Sequence, residues 1–153
     1  MSYARLALLS GRAALGCLFL AAGVGKFLWP TEFVAYLGSS RALASIGCDG
    51  VLLAYAIGAI TGVLEVVLGG LLLLRGGRRC AMAAGVTFVL YSCFLVLDGR
   101  AECPCTWGAQ VLGVSIGQKL LSNGLLATIA LALVLGYRRR ERDDAVEQVY
   151  SPQ

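Results

Sequence analysis

A chain of 153 residues that is 58% hydrophobic and only 14% charged is too apolar for a soluble domain, in which about a quarter of residues are charged. Its formal net charge of +4 sits in short basic clusters between apolar runs, a membrane-topology pattern and not a nucleic-acid surface. The absence of His excludes His-ligated haem, His metal sites, Ser-His-Asp catalysis and the usual neutral-pH proton shuttle, leaving thiols and a few carboxylates.

Four apolar runs follow in chain order, over about 6–28, 51–74, 80–97 and 118–137. Each approaches the ~20 residues that a helix needs to cross ~30 Å of hydrocarbon. The expected fold is an all-α, four-helix transmembrane bundle occupying 1–137 in the lipid bilayer. The first run is too long for a signal-peptide core and lacks a clear Ala-x-Ala exit, so it is expected to be retained. Pro30, Pro104 and Pro152 all fall outside the runs, and Trp29 and Trp107 flank membrane ends.

Nine of the thirteen basic residues (Arg5, Arg12, Arg75, Arg78, Arg79, Arg138, Arg139, Arg140 and Arg142) fall on one side. The other side holds Lys26, Arg41, Arg100 and Lys119. This bias predicts both termini in the cytoplasm, and a multi-pass protein of the inner membrane. Two segments then face outward, 29–50 and 98–117. Residues 31–37 read as a short helix lying in the interface, and the tail 138–153 reads as charged, cytoplasmic and frayed.

The outward segments carry Cys48, Cys103 and Cys105, the three thiols placed where disulfides persist. Cys103-Pro104-Cys105 closes only a small ring, so a bond within it is strained and exchangeable. Three readings stand side by side: a structural bridge from Cys48, a redox pair with Cys48 as shuttle thiol, and a soft Cu(I) site. Cys17, Cys80 and Cys93 lie in or beside spans, where free cysteines usually act as small apolar residues.

Glu65 sits well inside the second span, where an ionisable residue is a functional candidate by default. Gly58, Gly62 and Gly69 share its helix face, which should turn it into the bundle. At ~1.5 Å per residue, Glu65, Cys17, Cys93 and Asn123 all fall roughly 14 to 21 Å from the cytoplasmic ends. Such a layer reads either as helix-to-helix hydrogen bonding or as a pocket for a lipid-soluble oxidant such as a quinone. No Walker, Rossmann or kinase-type glycine pattern points to a nucleotide cofactor.

These residues resemble the DoxX/MauE group of small four-helix membrane proteins. The resemblance rests on the glycine-rich end of span one followed by Lys26, on Glu65 ahead of Gly69 and Gly70, on Cys103-Pro104-Cys105, and on Ser122-Asn123-Gly124. The family's Cys-x-Cys is typically followed directly by Phe-Gly, whereas here Thr106, Trp107 and Gly108 follow. The resemblance implies a role in maturing, or holding in the right redox state, a disulfide-rich extracytoplasmic protein. In methylamine utilisation that client is the small subunit of methylamine dehydrogenase. It also implies partners such as a thioredoxin-like protein, and quinone coupling in DoxX-like relatives. A non-catalytic subunit of a membrane complex is the alternative.

Overall fold

The computed structural model describes residues 3–45, 47, 50–99 and 116–150. It comprises α1 (Tyr3–Leu28), α2 (Pro30–Gly38), α3 (Arg41–Ala44), α4 (Val51–Leu74), α5 (Arg78–Asp98) and α6 (Ile116–Tyr150), with no strand among the described residues. Four of these are long and apolar enough to cross a membrane: Leu6–Leu28, Val51–Leu74, Arg78–Asp98 and Ile116–Arg139. Large apolar side chains cover the outside, with Leu52 and Leu74 at 84% exposure and Leu121 at 76%. That distribution suits hydrocarbon, where the outer face needs no polar groups. The chain is a multi-pass membrane protein with the expected four-helix bundle.

α1 packs mainly on α4, and α5 on α6. The first pair is antiparallel and held by glycines seven residues apart on each helix. A Cβ added at Gly23 would meet the Gly62 carbonyl oxygen at 2.8 Å, and one at Gly69 would meet that of Gly16 at 2.8 Å. Backbones therefore touch backbones, the small-residue contact that stabilises helix pairs in lipid. The second pair interlocks Ala81, Ala84 and Phe88 of α5 with Ala130 and Leu133 of α6. Phe88 meets Phe19 of α1 with ring centroids 5.1 Å apart, joining the pairs.

The turn between α4 and α5 closes over Gly76, whose φ of 63° suits glycine. Arg12 crosses to donate from Nη2 to the Leu73 carbonyl at 3.1 Å, satisfying an otherwise exposed helix C-terminus.

Two expectations change. α2 does not merely lie in the interface: Phe33, Val34, Tyr36 and Leu37 are buried and cluster with Ala54 of α4 and Leu95 of α5. Their i, i+1, i+3, i+4 spacing makes one apolar stripe, which buries more surface against protein than against headgroups. Among the described residues of the tail expected to fray, α6 continues as far as Tyr150. Arg138 to Arg142 are strong helix formers with no Gly or Pro, so the helix propagates beyond the apolar part.

Candidate functional site

Glu65 is 3% exposed on the glycine face of α4, and Lys26 of α1 is 7% exposed. The two form an ion pair, and the Tyr91 hydroxyl of α5 donates to the other Glu65 oxygen. Helix geometry explains the meeting. Side chains lean toward their own N-terminus, so in antiparallel helices Lys26 and Glu65 lean toward each other across the Gly23/Gly62 contact. The Lys26 ammonium also lies 5.1 Å from the Phe33 ring centroid and 5.8 Å from that of Tyr91. Two ring faces thus shield the cation on its flanks.

This cluster borders a cavity of about 470 Å³ lined by α1, α2, α4, α5 and α6 and open on one side. Its walls are almost wholly apolar, including Phe19, Phe33, Leu37, Phe88 and Leu95. The polar residues bordering it include Glu65, Thr61, Tyr36 and Tyr91, together with Lys119, Ser122 and Asn123 of α6. Volume and lining match a small-molecule site, apolar with few orienting groups. Among the described residues, no three acid or thiol side chains converge as a metal-binding group.

Of the sequence-derived candidates, Glu65 and Asn123 line this cavity, and Lys26 stands behind its wall as the ion-pair partner of Glu65. Cys17 and Cys93 do not, and their place in the layer is corrected: both are exposed and outside the lining. Each stands two residues from an inward leucine, Leu15 and Leu95, about 200° around its helix. Similar depth did not bring similar direction. Cys48, Cys103 and Cys105 lie outside the described residues.

Asp98 adds a buried acid to those that the sequence singles out. It ends α5, is 1% exposed, and accepts from the Ser40 hydroxyl at 2.8 Å, the Tyr36 hydroxyl at 3.1 Å and the Ala42 N–H at 3.4 Å. An acid at a helix C-terminus opposes the helix dipole, and that misfit is the signal that it needs donors elsewhere. Asp98 thereby fastens α2 and α3 over one end of the cavity, which Tyr36 also lines. Asp98→Ala should cost about 2 kcal/mol, the worth of hydrogen bonds to a charged group. Hydrogen exchange should rise selectively over 33–43, and unchanged protection there would show that the latch does not hold α2.

No curated protein and no solved structure matches the chain significantly. The family model of methylamine utilisation protein MauE does match, over residues 4–136, from the first span into the last. With a match across that much of its length, and the four apolar helices just described, the chain belongs to the MauE family.

Proposed function

We propose that this protein supports thiol–disulfide maturation of a disulfide-rich extracytoplasmic protein from the inner membrane, with both termini cytoplasmic. Cys103 and Cys105 exchange with the client or with a thioredoxin-like carrier, and Cys48 serves as the neighbouring thiol. A client dithiol attacks the Cys103–Cys105 disulfide through a mixed disulfide, leaving the client oxidised and the pair as a dithiol. The dithiol then returns to a disulfide by passing two electrons and two protons to a lipid-soluble quinone, which becomes a quinol. The observation that carries this reading is the buried Lys26–Glu65–Tyr91 cluster bordering an apolar cavity, since a membrane protein seldom retains intramembrane charges without a use for them.

Trapping tests the exchange step. Cys105→Ser and Cys103→Ser, expressed separately in cells, should yield a mixed disulfide with an extracytoplasmic protein in at least one case. A permanent Cys48 bridge with no trapped partner in either variant would overturn it. The second reading, a non-catalytic assembly subunit, is favoured by the completeness of the Lys26–Glu65 pair, which also knits α1 to α4. Under that reading Cys103→Ser/Cys105→Ser has no phenotype.

A further inference from the structure

Leu18 of α1 and Leu90 of α5 line the cavity and are also 37% and 62% exposed on the outer surface of the bundle. The cavity thus reaches the outside between two apolar side chains, at a level where that outside is hydrocarbon. Asn123 is 9% exposed, borders the same space as Glu65 and makes no hydrogen bond among the described residues. Because no fully buried side-chain nitrogen or oxygen lacks a partner among the described residues, this amide is open to the cavity and not sealed in its wall. A ligand oxygen inside the cavity would meet that open amide.

We infer that the cavity is a lateral site for a quinone-class lipid, entering between Leu18 and Leu90 and held by a hydrogen bond to Asn123. This rests on the functional reading above and gives its electron acceptor a place. The chemistry selects the class. The wall is too apolar for a charged or sugar headgroup. The Asn123 amide donates to a ring carbonyl and accepts from a ring hydroxyl, so it serves both the oxidised and the reduced form. The Glu65–Tyr91 pair lies on the same cavity, as a polar contact for the rest of the ring. Phe19, Phe33 and Phe88 supply the faces against which a flat ring packs.

The test is binding of decylubiquinone to the purified full-length chain in lipid nanodiscs, with decylbenzene as a ligand of similar tail and no oxygen. Decylubiquinone should bind at least tenfold more tightly than decylbenzene. Asn123→Leu should abolish that preference while leaving the melting temperature within a few degrees, and Leu90→Trp should slow association. Equal affinity for the two ligands, or an undiminished preference in Asn123→Leu, would overturn the site and leave a crevice filled by acyl chains. Repeating the titration on Cys103→Ser/Cys105→Ser separates the two proposals. Binding there is expected to be unchanged, so a quinone site without thiol exchange, and thiol exchange without a quinone site, give different results.

Discussion

Lys26→Met, made alone, should destabilise the protein by about 3 to 5 kcal/mol, the usual cost of breaking a buried ion pair by removing one partner. Glu65 would keep its desolvation cost and its Tyr91 donor but lose its counter-charge. The triple variant Lys26→Met/Glu65→Leu/Tyr91→Phe removes every member of the cluster and should recover most of that stability, because apolar replacement of a buried network is often neutral. Unfolding in a detergent titration measures both. Activity separates the readings: if the cluster serves chemistry, the triple variant is stable and inactive, whereas a structural rivet leaves it stable and active. Lys26→Met as stable as the parent would show that the pair contributes nothing to the fold.

The second large effect is steric. Gly23→Leu places carbon where the Gly62 carbonyl oxygen and the Val66 N–H already stand, at 2.8 and 2.9 Å from an added Cβ. These are backbone atoms, so no rotamer change relieves the contact, and α1 must part from α4. Overpacking of this kind costs about 3 kcal/mol, and here it also separates Lys26 from Glu65. Gly70→Leu is the control, since an added Cβ at Gly70 meets nothing within 4 Å. Abundance and melting temperature should fall for the first and hold for the second. Equal behaviour would mean that α1 and α4 do not pack through their glycines.

The spans were legible because length and hydropathy suffice to place a helix in a bilayer. Glu65 was legible because Gly58, Gly62 and Gly69 mark its face as an inward one. Its partners were not. Lys26 lies 39 residues away, and only the antiparallel register of α1 and α4 reveals that its side chain leans toward Glu65. Tyr91 carries no mark in an apolar run. Cys17 and Cys93 are the opposite case: depth along a helix fixes a residue's level but not its direction, and rotation turns both outward. Asp98 was readable in principle, as an acid at the wrong end of a helix. α2 was readable as a helix, but its stripe alone did not distinguish a lipid surface from a protein one.

On the proposed function, thiol oxidation at Cys103 and Cys105 and the intramembrane cavity work as one unit. The direct measurement starts from the fully reduced full-length protein in nanodiscs, adds decylubiquinone, and follows quinol absorbance together with free thiols by mass spectrometry. One quinol should appear for each Cys103–Cys105 disulfide formed, and Glu65→Gln should slow both at least tenfold. Thiols that stay reduced in the presence of bound quinone, or that oxidise with no quinol formed, would contradict it.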